Sequence, residues 1–99
     1  HMDVTAALKS YAEQKAAKLL KYYDLIQEIE VVFEGGKHDD SSVEMIVNAE
    51  HRNMFIAHSP PGDAYSGVDL CVDKLERQLS EHKKKFRNRK HTVGEDKRE

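Results

Sequence analysis

This chain is poor in cysteine and proline and has no long apolar run, and each shortage removes a class of protein. Cys71 is the only cysteine, so no intrachain disulfide and no cysteine-based zinc cluster can form. That excludes the small secreted scaffolds held by disulfides. No stretch approaches the roughly 18–20 uninterrupted apolar residues of a membrane helix, and no charged start leads into a short apolar run like a secretory signal. The expectation is a cytoplasmic protein with no membrane partner. The two prolines are adjacent, Pro60-Pro61, and interrupt regular structure at one place only. With 99 residues, 38% of them apolar, the chain suffices for one domain around one core.

Net charge is −2, which as a sum argues against a nucleic-acid binder. Its distribution argues otherwise. Lys and Arg stand against Asp and Glu as 4 to 6 in residues 1–34, 2 to 7 in 35–73, 8 to 2 in 74–91 and 2 to 3 in 92–99. The chain has an acidic body and one basic end.

Periodicity predicts the elements. Leu8, Tyr11, Ala12, Ala16, Leu19, Leu20 and Tyr23 recur at three- and four-residue steps, a first helix with Thr5 or Asp3 as cap. After Asp24 the period falls to two: Ile29, Val31 and Phe33 alternate with Glu28, Glu30 and Glu34 as in a half-buried strand. Gly35-Gly36 and the polar residues to Ser42 read as a turn or loop. A second strand spans about Val43 to Glu50, with Val43, Met45, Val47 and Ala49 on its more apolar face. A third runs from Met54 to His58 after a tight connection at His51-Arg52-Asn53. Asp63 is placed to cap a long second helix whose stripe is Tyr65, Val68, Cys71, Val72, Leu75, Leu79, His82 and Phe86. The fold class is α+β, with two helices packed on one face of a mainly antiparallel sheet. Residues 1–91 form the domain and 92–99 a flexible charged tail.

The strongest chemical feature is the tract Lys74, Arg77, Lys83, Lys84, Lys85, Arg87, Arg89 and Lys90. Eight cations on about five turns repel one another, and phosphate is their natural partner. The competing reading of the same tract is a solvated helix end. For Lys9, Lys15, Lys18 and Lys21, off the stripe of the first helix, a solvated face is the simpler account. Tyr22 lies off that stripe too, where packing under the following loop competes with stacking on a base. Tyr65 is expected to pin the Pro-Pro loop. His38, Asp39 and Asp40 are the best local set for a metal, but no pair has zinc-motif spacing, so neither metal nor cofactor is expected. No nucleophile, base and acid can be assembled, and Cys71 falls on the apolar stripe, so no enzyme is expected.

Asp63-Ala64-Tyr65-Ser66-Gly67-Val68-Asp69, then Asp73-Lys74-Leu75-Glu76-Arg77-Gln78-Leu79, resembles the second-helix signature of the ribosome hibernation promoting factor and ribosome-associated inhibitor A (sigma-54 modulation) family. Val4-Thr5-Ala6-Ala7-Leu8 and Lys18-Leu19-Leu20-Lys21-Tyr22-Tyr23 are similar to that family's first helix. The resemblance spans residues 3 to about 91. It implies a β-α-β-β-β-α domain that binds the small ribosomal subunit and its rRNA in the mRNA and tRNA channel, and that inhibits translation under stress or in stationary phase. It also implies that Lys74, Arg77, Lys83, Lys84, Lys85, Arg87, Arg89 and Lys90, with Lys15, Lys18 and Lys21, contact rRNA phosphate.

Three features depart from the family pattern. The family's first strand is expected ahead of Asp3, where this sequence has only His1-Met2; it is either truncated or outside this numbering, and a missing strand would leave a sheet edge open to strand exchange or a homodimer. Pro60-Pro61-Gly62 replaces a short polar link, and Gly67 stands for a helical alanine at a cost of roughly 1 kcal/mol. Two other readings fit the element order. A double-stranded-RNA-binding domain needs cations at the start of its second helix, where this chain has Asp63, Asp69 and Asp73. A protein-interaction module would use the acidic strand face of Glu28, Glu30, Glu34 and Glu44.

Overall fold

The computed structural model describes residues 4–37 and 39–95, the side chains of 37 and 86–95 excepted. Helix α1 (Ala6–Ala17) is followed after one residue by the short α2 (Leu19–Tyr22); then come β1 (Ile26–Lys37), β2 (Asp40–Ala49), a 3-10 turn (Glu50–Arg52), β3 (Asn53–His58) and α3 (Ala64–Glu95). The three described strands form an antiparallel sheet in the order β1-β2-β3. The expected α+β arrangement is what forms, because the period-two strands and the helical stripes each have one apolar side to bury.

Val43, Met45, Val47 and Ala49 of β2 are buried, alongside Phe33 of β1 and Ala57 of β3. Against them pack Leu8, Ala12, Ala16 and Leu19 from the first helices and Ala64, Val68, Cys71, Val72, Leu75 and Leu79 from α3. Burying each large aliphatic side chain contributes about 1.5–3 kcal/mol. Thr5 caps α1, its Oγ1 accepting from Leu8 N–H at 3.1 Å, and Asp63 caps α3 by accepting from Ser66 N–H at 2.9 Å.

One expectation is corrected. Gly35-Gly36 is not the turn: β1 continues to Lys37 and β2 begins at Asp40. Gly35 instead sits at a register irregularity with φ +129°, where a Cβ would collide with the Asp40 carbonyl oxygen and come within 2.8 Å of Ser41 Cα. Only glycine takes that backbone geometry without strain. Helix α3 is described through Thr92 to Glu95. No proline interrupts residues 92–95, so the backbone ladder can continue.

Gly67 also acquires a reason. An added Cβ would lie 2.7 Å from Val43 Cγ2 and 2.8 Å from Ser59 Oγ, so α3 approaches the sheet too closely for alanine. Ser59 is itself fixed, its Oγ accepting from Val43 N–H at 2.9 Å and its own N–H donating to Val43 O at 2.8 Å. Beyond the prolines, Gly62 and Ser41 exchange two backbone hydrogen bonds of 2.9 Å, so the stiff link is stitched to the start of β2.

Candidate nucleic-acid interface

The two long helices run in the same direction. Tyr11 meets Tyr65 edge-on at 5.1 Å near the start of α3, and Tyr23, just after α2, meets His82 at 5.7 Å farther along it. This parallel packing carries Lys18 and Lys21 toward the end of the body from which α3 emerges. Among the described side chains Leu79 is the last fully buried one of α3, and His82, wedged between Tyr23 and Phe55, is the last that packs on the body. Lys83, Lys84 and Lys85 follow at once, all exposed. With Lys18 and Lys21, also exposed, they flank the point where α3 makes its last described contact with the body, and exposed Arg77 lies two turns earlier on α3.

Other candidates have different surroundings. Lys15 lies 3.6 Å from Asp69 Oδ1 and 5.5 Å from the centre of the Tyr11 ring. Lys74 Nζ donates to the His58 carbonyl at 2.7 Å, and Gln78 Nε2 to the Ile56 carbonyl at 3.0 Å, so α3 covers the outer carbonyls of β3. Arg87, Arg89 and Lys90 lie on the α3 backbone, but their side chains are outside the described residues. Tyr22, which the sequence leaves between packing and stacking, is 43% exposed. Tyr65 makes its ring contact with Tyr11.

The start of α3 is occupied differently. Asp69 accepts the Tyr11 hydroxyl at 2.7 Å, and this hydrogen bond, together with burial and the Asp69 and Asp63 charges, pushes the Tyr11 phenol up to about 12. Acidic groups therefore dominate this end, opposite the lysines.

Cys71 is buried, its thiol 3.4 Å from the Val43 carbonyl and 3.6 Å from that of Ala57; burial raises its pKa to about 11, which suppresses the thiolate. Among the described residues no group of three His, Cys, Asp or Glu is placed to hold a metal, and His38 of the Asp-rich turn lies outside them. No helix among them is long and apolar enough to cross a membrane. Beside β1, which pairs on one side only among the described strands, an apolar groove of about 530 Å³ is lined by Val4, Ala12, Ala16, Leu20, Ile29 and Val31.

Helices packed on one face of an antiparallel sheet define an α+β domain. The family described as "Sigma 54 modulation protein / S30EA ribosomal protein" matches residues 1–87, and the chain belongs to it. It is 35% identical over 92 residues to a ribosome hibernation promoting factor of Azotobacter vinelandii, covering 85% of this chain and 77% of that one. It is 33% identical over 93 residues to the protein of that name from Escherichia coli K12, covering 88% and 90%. Among solved structures, the Thermus thermophilus Protein Y N-terminal domain is similar, with TM-score 0.64, 25% identity and coverage of 81% of this chain and 86% of that one.

Proposed function

We propose that this domain is a non-enzymatic ribosome hibernation factor of the cytoplasm. It binds the small ribosomal subunit through rRNA phosphates in the mRNA and tRNA channel and inhibits translation under stress or in stationary phase. The observation that carries the reading is that exposed Lys83, Lys84, Lys85, Lys18 and Lys21 flank the point where α3 makes its last described contact with the body, with Arg77 two turns earlier. Arg87, Arg89 and Lys90 extend the cationic tract along the same helix. Relatives at 33–35% identity that are named ribosome hibernation promoting factors support it.

Within the site the cations divide by task. Lys83, Lys84 and Lys85 displace counterions from phosphate, and the exposed ring of Tyr22 stacks on a base. Lys15 and Lys74 hold the helices and the sheet edge in place while adding positive charge nearby. The groove beside β1 is the surface for self-pairing into a homodimer.

Co-sedimentation with purified small subunits tests the reading. The parent chain pellets with the subunits, and a variant carrying Lys83→Glu, Lys84→Glu and Lys85→Glu stays in the supernatant. Equal pelleting of the two overturns the site; a parent that never pellets overturns the function. Sedimentation of the chain alone reports the homodimer.

A further inference from the structure

The outer face of the sheet, turned away from the helices, breaks the rule that such a face is polar. Its residues follow from the strand register. Val32, Glu44 and His58 form one row across the sheet, Glu30, Ile46 and Ile56 the next, and Glu28, Asn48 and Met54 a third. Val32, Ile46, Ile56 and Met54 thus form an apolar band across all three strands. Met54 is 58% exposed and Ile56 41%. None of these four side chains belongs to the core, and none is needed to bury α1 or α3.

Carboxylates flank the band on β1 and β2, while Arg52 and His51 adjoin it at Met54. Glu28, Glu30 and Glu34 stand on β1 and Glu44 in the centre of the sheet, on the same face as the band. At one end of this face a recess of about 220 Å³ has Glu34, Glu44 and His58 on its walls, with Glu44 Oε2 3.4 Å from His58 Nε2. Two carboxylates at its mouth suit an ammonium or guanidinium group. The same carboxylates repel phosphate, which excludes nucleic acid from this face. They also repel a second copy laid face to face, since like charges would then oppose one another.

We propose that the outer sheet face is a docking surface for a basic protein segment, separate from the cationic helix end. Aliphatic side chains of the segment cover Val32, Ile46, Ile56 and Met54, and a lysine or arginine enters the recess between Glu34 and Glu44. Apolar contact supplies the affinity and the four carboxylates the choice of partner. The inference goes beyond the RNA-binding reading and does not depend on it.

The test is titration of the full chain with a short synthetic peptide of alternating lysine and leucine, followed by amide NMR shifts, with all-lysine and glutamate–leucine peptides as controls. The lysine–leucine peptide is expected to shift residues 30–34, 44–46 and 54–58, and the glutamate–leucine peptide to shift none of them. Ile56→Ser and the pair Glu34→Gln with Glu44→Gln should each weaken binding about tenfold. These side chains lie outside the core, and parental dispersion of the amide spectra of the same variants verifies that they fold. Shifts centred on the helices, equal binding of the all-lysine peptide, unchanged affinity of the variants, or self-association through this face each overturn the proposal. Failure of the parent chain to pellet with the subunits, with peptide binding intact, leaves this inference standing and removes only the RNA reading.

Discussion

The hydroxyl of Tyr11 donates to Oδ1 of Asp69 at 2.7 Å, tying the first helix to the second turn of α3. Lys15 joins the same carboxylate at 3.6 Å, and the ring of Tyr65 packs edge-on against Tyr11. The tie sets the lengthwise register of the two helices, and through it the position of Lys18 and Lys21 beside the emerging end of α3. Tyr11→Phe removes the hydrogen bond and keeps the ring, so chemical denaturation should show a loss of about 1–2 kcal/mol.

Alkaline unfolding separates the Tyr11 hydroxyl from its ring. Its pKa rises from 10.0 to about 12 on folding, so the folded state favours the protonated phenol. That contribution is complete below about pH 10 and is lost as pH rises toward 12. The parent should lose stability across this window more steeply than Tyr11→Phe. Equal slopes in denaturation series at increasing pH would contradict the assignment. Tyr23 and Cys71, also shifted upward by burial, remain in both proteins and cancel in the difference.

Gly67→Ala pits helix propensity against space. Alanine gains up to about 1 kcal/mol in a helix interior. Its Cβ meets Val43 Cγ2 in the core and Ser59 Oγ, which is held by the Val43 amide, and such overpacking costs about 1–3 kcal/mol. A net destabilisation is expected, read as a lower midpoint in urea. A stabilised variant would mean that the link at Ser59 yields.

Cys71 should react with a disulfide reagent only when the domain opens. Its burial and raised pKa leave almost no accessible thiolate at neutral pH. Labelling should be slow in buffer and rapid in urea, with a rate that follows the unfolded population. Fast labelling in native conditions would show that α3 detaches from the sheet.

The lysines should separate by salt dependence. Lys83→Gln, Lys84→Gln and Lys85→Gln, made singly, should each flatten the slope of log affinity against log salt by about 0.7–0.9. Lys74→Met removes the hydrogen bond to the His58 carbonyl and should cost roughly 0.5–1.5 kcal/mol of stability while leaving that slope nearly unchanged. A full slope change for Lys74→Met would make it a phosphate contact instead.

The sequence by itself determined the class of fold, because periodicity records which side of each element is apolar. The alternation of Val43, Met45, Val47 and Ala49, and the stripe from Val68 to Leu79, correspond to buried residues almost without exception. It also determined that positive charge is concentrated in residues 74–91. What only the tertiary structure decided depends on distances between segments far apart in the chain. Gly35 and Gly36 look like a turn in sequence, yet β1 passes through them, since strand pairing with Ser41 and Asp40 outweighs the local preference. The cost of Gly67 in a helix is explained only by the approach of Val43 and Ser59. Lys15 and Lys74 are indistinguishable from the other lysines along the chain, and Asp69 and the His58 carbonyl, brought near by folding, give them structural work. The apolar band on the outer sheet face was hidden for the same reason. Val32, Ile46, Ile56 and Met54 come from three strands, and only the register brings them together.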